Sequence, residues 1–213
     1  GAIFLRPSGM KIAPMGGEAS LTEAADFFTE SFWKGKIGGG AKELSKTQRK
    51  SLMNRQLLDF QRRYSPNVGI RGKRAVLLLC RNGKGDLMGC AGIEVDRIPT
   101  TSLSSSSKLS APLMSNVAVG RQFRRRGVAE ELVKQVEDIV QREWGFDECY
   151  LYVEKINEPA IKLYKKLGYR EVWEDTTART LVPTETGGVK NAPTVLVCMK
   201  KDMKKGVFGD LFR

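Results

Sequence analysis

The residues best suited to chemistry in this chain form a short basic run, Arg124-Arg125-Arg126-Gly127-Val128-Ala129, set between an apolar stretch and an amphipathic one. A helix that begins there presents unpaired backbone N–H groups and the positive end of its dipole. Glycine at the turn lets a phosphate come close to those donors, and flanking arginines add charge-assisted hydrogen bonds. The run therefore describes an anion site for a ligand carrying two or three phosphates. It is neither a Walker A loop nor a G-x-G-x-x-G dinucleotide fingerprint. Taken alone, the same letters also describe a basic surface turn that touches RNA.

Composition bounds the remaining chemistry. Histidine is absent, which excludes Ser-His-Asp and Cys-His machinery and every His-based metal site within this chain. Cys80, Cys90, Cys149 and Cys198 each sit inside an apolar, strand-like run, and no pair has C-x-x-C spacing. They read as buried free thiols of a reducing compartment rather than a zinc or redox site, and no metal is expected. The net charge of +12 attracts polyanions without choosing among them. A second basic cluster, Lys200, Lys201, Lys204 and Lys205, reads as a solvated chain end. With 213 residues, 41% of them hydrophobic, the chain can bury a core. No apolar run reaches the roughly 18 residues that a membrane span needs, so no membrane partner is expected.

The basic run must be positioned by a strand before it and a helix after it, and the pattern supplies both. Leu113–Val119 reads as the strand, and Gly127 to about Trp144 as the helix, with Val128, Leu132, Val136 and Val140 on its core face. Upstream, Ile3–Leu5 reads as a short strand, and Ser20 or Thr22 as the cap of a helix reaching Trp33. Gly38–Gly40 breaks the chain before a second helix over Thr47–Tyr64, with Leu52, Gln56, Leu57, Phe60 and Tyr64 on one face. Ala75–Cys80 and Leu87–Val95 form a hairpin about Asn82-Gly83. Downstream come a strand over Cys149–Glu154, a helix over Asn157–Leu167 stopped by Gly168, and strands over Glu171–Glu174 and Thr194–Lys200. Segments 100–110 and 176–193, rich in Ser, Thr, Gly and Pro, read as flexible loops. Nothing repeats and no linker divides the chain, so one domain over residues 1–213 is expected.

On these residues the sequence resembles a known family. Arg124-x-x-Gly127-x-Ala129, led in by Asn116–Val119, matches the Q/R-x-x-G-x-G/A signature of the GNAT superfamily of N-acetyltransferases. Asn157-x-x-Ala160-x-x-Leu163-Tyr164-x-x-x-Gly168-Tyr169 is similar to its second motif. The signature region covers 113–170; Ala129 stands where a second glycine is commoner. The resemblance implies a mixed α/β (α+β) fold. Its central sheet would be mostly antiparallel with about six or seven strands, about four helices would flank it, and two central strands would splay apart for coenzyme A.

The same resemblance implies roles. Backbone groups of Val117, Ala118 and Val119 would pair with the pantetheine amides of acetyl-CoA, and donors across Arg124, Arg125, Arg126, Gly127, Val128 and Ala129 would hold its pyrophosphate. Asn157, Glu158, Pro159 and Ala160, at the start of the later helix, would also touch the coenzyme; Asn157 is a good cap, and proline is tolerated in a first turn. Tyr164 is similar to the family's general acid, which protonates the departing thiolate. On spacing alone it belongs equally to a core face with Ala160, Ile161 and Leu167. Relatives carry a carboxylate where Tyr152 stands, which leaves the base open among Glu154, Tyr152 and a water chain ending near Ser115 or Asn116.

The helix ending in Phe27, Phe28, Phe32 and Trp33 and the run Val195–Asp202 are similar to plant and algal chloroplast acetyltransferases. That likeness implies protein lysines or N-termini as acceptors, with small arylalkylamines such as serotonin as the alternative, and a chloroplast stromal location. Gly1 in place of an initiator methionine is then read as the result of transit-peptide removal. A further alternative is a non-catalytic basic module that binds nucleic acid or protein; the intact Gly127 and Tyr164 argue against it, and nucleic acid is not the expected partner.

Overall fold

Long alternating runs dictate the frame. In the computed structural model, which describes residues 4–5, 9–36, 43–65 and 74–203, the two longest strands are β4 (Leu87–Pro99) and β5 (Lys108–Val119), an antiparallel hairpin. Ahead of them come β1 (Phe4–Leu5), β2 (Lys11–Pro14) and β3 (Ala75–Arg81); after them β6 (Glu148–Glu154), β7 (Arg170–Asp175), β8 (Arg179–Pro183), β9 (Val189–Pro193) and β10 (Leu196–Asp202). One sheet has the order β1-β2-β3-β4-β5-β6-β10-β7, and β8 and β9 form a separate hairpin. Every pairing is antiparallel except β5 with β6. Sequence expectation and structure agree on a mixed, mostly antiparallel sheet; β2, a four-residue strand, is the one strand of this sheet the pattern did not reveal, and it brings the sheet to eight strands.

Four α-helices flank this sheet: α1 (Glu18–Phe28), α2 (Lys46–Tyr64), α3 (Val128–Asp138) and α4 (Glu158–Lys166). On one face Val128, Leu132, Val133 and Val136 of α3 and Tyr164 of α4 bury against Ile93, Met114, Leu151 and Val153. On the other, Leu21, Ala24, Ala25 and Phe28 of α1 and Phe60 and Tyr64 of α2 bury against Leu77, Leu79 and Cys90. β6 obeys the expected alternation. Leu151 and Val153 join the first layer, and Tyr150 and Tyr152 join a smaller cluster with Ile98, Leu113, Cys198 and Trp173. All four cysteines are buried and unbridged.

Several local expectations are corrected. α1 starts at Glu18 behind Gly17, not at Ser20 or Thr22; the Thr22 hydroxyl instead donates to the Glu18 carbonyl. The last turns toward Trp33 and toward Glu143 are π-helical. Segment 176–193 is not a loop, since β8 and β9 pair from Arg179↔Pro193 to Pro183↔Val189. Likewise residues 108–110 already belong to β5. Lys200 and Lys201 are not a solvated end: Lys200 pairs with Glu148 and Asp202, and Lys201 with Glu137. Lys204, Lys205 and Gly38–Gly40 lie outside the described residues.

Candidate active site

β5 and β6 run side by side only at Leu113↔Tyr150 and Met114↔Leu151. Beyond that point Ser115–Val119 and Tyr152–Glu154 have no pairing with each other, so one edge of each strand opens into a wedge. The cause is local. The register of β4 against β5 shifts between Cys90↔Ala118 and Gly92↔Ser115, which puts one extra residue on β5, and Asn116 adopts φ 55°. Such a bulge bends its strand away from a neighbour. Asn116 is held in this costly conformation by its side chain, whose amide donates to Tyr64 Oη and Ser115 Oγ, each at 3.2 Å. Tyr64 in turn brings its hydroxyl end onto Gly92, where an added Cβ would fall 2.0 Å from that oxygen. Burial pushes that phenol up to about 12.

The wedge leads toward the basic run. After β5 a 3₁₀ turn, Arg121–Phe123, is followed by Arg125 at φ 63° and Gly127 at φ 79°, the N-cap of α3. No side chain caps this helix, so its first N–H groups are left for a ligand, and a Cβ on Gly127 would meet no atom within 4 Å. The helix start is also seated tightly on the sheet. A Cβ on Gly89 would come within 2.9 Å of the Ala118 carbonyl and of Leu132 Cδ1, so only glycine permits the approach. Arg125 and Arg126 are exposed. Arg124 behaves differently: its guanidinium donates to the Ser31 carbonyl at 2.9 Å and the Val119 carbonyl at 3.3 Å, tying the turn to the end of α1. Arg124 is exposed as well, and partial desolvation and then Arg121 hold its pKa below the usual arginine range.

Tyr164 faces the first apolar layer and is almost fully buried, edge-on to Tyr169 with ring centroids 5.8 Å apart. Burial, with a smaller contribution from Cys149, raises its hydroxyl well above the ordinary tyrosine range. Asn157 caps α4 as expected, its side-chain oxygen accepting from the Ala160 amide at 3.4 Å; Pro159 lies in the first turn, and Asn157, Glu158 and Pro159 are exposed. The structure thus brings Val117–Val119 and the α3 start together along the wedge, and sets Tyr164 in the layer beside it with Met114, Leu151 and Val153.

Across the sheet, both residue candidates for the base already have partners within the chain. Glu154 ends β6 in an ion pair with Lys36. Tyr152 packs against Trp173 at 5.5 Å, and burial, then Cys198 and Asp96, raise its phenol far above the ordinary range. Polar groups that sequence reasoning missed gather on this face. Arg63 of α2 pairs with Glu94, which is 1% exposed; a carboxylate inside the apolar run Gly92-Ile93-Glu94-Val95 was its visible signal. Gln56 Nε2 reaches Asn116 Oδ1 at 3.4 Å. Gln48, in a capping box with Ser45, donates to the carbonyls of Thr184 at 2.7 Å and Gly188 at 2.8 Å and so clasps the β8–β9 hairpin. No local pattern announces these contacts of Lys36 and Gln48, because the partners lie more than a hundred residues away.

Comparison with known proteins agrees with this geometry. The family described as "Acetyltransferase (GNAT) family" matches residues 43–169. An N-alpha-acetyltransferase of Sulfurisphaera tokodaii is 40% identical over 57 residues, 27% of this chain and 34% of the relative. GCN5-related N-acetyltransferase 4, chloroplastic, of Arabidopsis thaliana is 31% identical over 91 residues, 42% of this chain and 31% of the relative. The chain thus spans about a third of the length of these relatives. A GCN5-related N-acetyltransferase from Kribbella flavida shares the fold with a TM-score of 0.58 at 21% identity, covering 92% of this chain and 99% of that one.

Proposed function

This chain belongs to the acetyltransferase (GNAT) family, and from that premise we propose that it moves the acetyl group of acetyl-CoA directly onto a protein amine, a lysine side chain or an N-terminal α-amine. The single observation that carries the reading is the wedge between β5 and β6, which ends at an uncapped helix start behind Gly127. A pantetheine arm needs hydrogen-bonding partners along a narrow slot, and the free edge of Val117, Ala118 and Val119 supplies them. The N–H groups across Arg125–Ala129, with the exposed Arg125 and Arg126, suit a pyrophosphate. Asn157, Glu158, Pro159 and Ala160 would border the same coenzyme.

In a ternary complex the neutral amine attacks the thioester carbonyl; the C–N bond forms and the C–S bond breaks. Tyr164 gives its proton to the leaving thiolate, and its raised pKa keeps that proton in place until then. The phenol of Tyr152 holds its proton too firmly to act as base, which leaves Glu154 or water at the Tyr64, Ser115 and Asn116 hydroxyl and amide cluster. Small arylalkylamines are the second reading, favoured by the Tyr152–Trp173 ring pair on the acceptor face. The names of the Arabidopsis relatives support a chloroplast location.

Excess acetyl-CoA should raise the Tm of the protein by several degrees; no shift would sink the coenzyme reading. Labelled acetyl-CoA offered with a peptide mixture or with tryptamine should place label on peptide amines, and label on tryptamine alone would select the second reading.

A further inference from the structure

One mixed carboxylate, hydroxyl and aromatic shell among the described residues is occupied by the chain's own lysine. Lys36 ends the 3₁₀ turn Lys34–Lys36 that follows the π-helical Thr29–Trp33. Its ammonium pairs with the Glu154 carboxylate, donates to Thr180 Oγ1 at 3.2 Å, and lies 4.3 Å from the Phe32 ring centroid and 5.4 Å from that of Trp33. Both charged side chains are largely shielded, at 18% and 15% exposure. A carboxylate, a hydroxyl and two ring faces are what a desolvated alkylammonium requires. The indole Nε1 of Trp33, in the same wall, is closed to solvent and has no hydrogen-bond partner.

Position separates this cage from an ordinary ion pair. Glu154 lies on β6 beyond the last residue paired with β5, on the strand face shared with Tyr150 and Tyr152 and opposite to that of Leu151 and Val153. That is the mouth of the wedge, on the side away from α3. The cage walls come from the π-helical turn after α1, the end of β6 and β8 of the separate hairpin. On the acetyltransferase reading, an amine entering the wedge from the α1 side would pass it.

We propose that Phe32, Trp33, Glu154 and Thr180 form the subsite that receives the acceptor's ammonium, and that Lys36 is a resident stand-in which the acceptor displaces. The inference rests on the acetyltransferase reading and narrows it. A site that seats an ammonium on a four-methylene stem favours lysine side chains over arylethylamines, whose ring follows the amine after two carbons.

The test uses the full chain, n-butylammonium chloride as the probe and Trp33 fluorescence as the signal, with W33F identifying the part of the response that belongs to that indole. Lys36→Met keeps the stem against Phe32 and removes the charge. It should bind the probe about three- to tenfold more tightly than wild type, the scale of a partly desolvated ion pair with a cation–π contact. The KM for a lysine peptide should fall by the same factor, while the KM for acetyl-CoA stays unchanged. Adding E154Q to K36M should return probe binding to the wild-type level or below. Equal or weaker probe binding by Lys36→Met would overturn the subsite and make Lys36 a structural clamp. If the methionine variant lacks a cooperative melt, Lys36→Gln carries the same comparison. Should wild type acetylate no amine, the acetyltransferase reading fails, and the probe titration still decides the cage.

Discussion

The two sides of the wedge are built by different means. The side proposed for the coenzyme is backbone: a bulge at Asn116, a free strand edge, a left-handed glycine and a bare helix start, all within residues 113–129. The acceptor side is side chains from distant segments, with Lys36 reaching Glu154, Arg63 reaching Glu94, and Gln48 reaching the β8–β9 hairpin. A backbone site is fixed once the strand and helix form, and it can serve the same cofactor in many chains. A side-chain site depends on each partner, and can be altered one residue at a time without touching the coenzyme. On the proposed reading, the contrast gives specificity to one side and generic binding to the other.

That contrast can be broken by substitution. The largest effect on folding should come from Arg63→Met, which strips a buried carboxylate of its guanidinium and should cost about 3 kcal/mol in urea unfolding. A loss within error would mean that the acceptor face does not depend on its pairs. Tyr164→Phe should lower kcat about a hundredfold while acetyl-CoA affinity holds; unchanged turnover would remove Tyr164 from the chemistry. Gly127→Val places a side chain in the open space beside the helix start and at φ 79°, and should weaken acetyl-CoA binding by about tenfold or more, read by calorimetry, with little change in peptide KM. Gln48→Ala removes the capping box and both hairpin bonds. It should cost about 1–2 kcal/mol and raise the peptide KM, leaving acetyl-CoA binding intact.

The pH profile gives the smallest and most specific signal. A phenol whose pKa is raised stays protonated as pH climbs, so the acid of the reaction is not lost in the alkaline range. Turnover should therefore rise as the amine acceptor sheds its proton, with no fall below about pH 10. A descending limb near pH 8 would point to an acid other than Tyr164.

The same division explains what was legible in the sequence. The strand, turn and helix around Gly127 follow from periodicity and a glycine, and Val128, Leu132 and Val136 of α3, with Val140 in the π-helical turn after it, are buried as their spacing requires. Asn157 and Gly168 mark the limits of α4 in the same local way. The β8–β9 hairpin escaped because its residues carry little apolar alternation; it is held by Gln48 and Lys36, neither of which is near in sequence. Ser45-x-x-Gln48 was a readable capping box, but nothing in it says that Gln48 also grips Thr184 and Gly188. Long-range pairing is set by the folded chain, and a single sequence does not encode it locally.

The central claim, that the wedge and the bare helix start together hold acetyl-CoA, is tested most directly by hydrogen exchange of the full chain with and without saturating acetyl-CoA. The account predicts slowed exchange in peptides covering Val117–Val119 and Arg125–Ala129 together, with β3 and the β8–β9 hairpin unaffected. Unchanged exchange in both segments, or protection confined to the acceptor face, would contradict it.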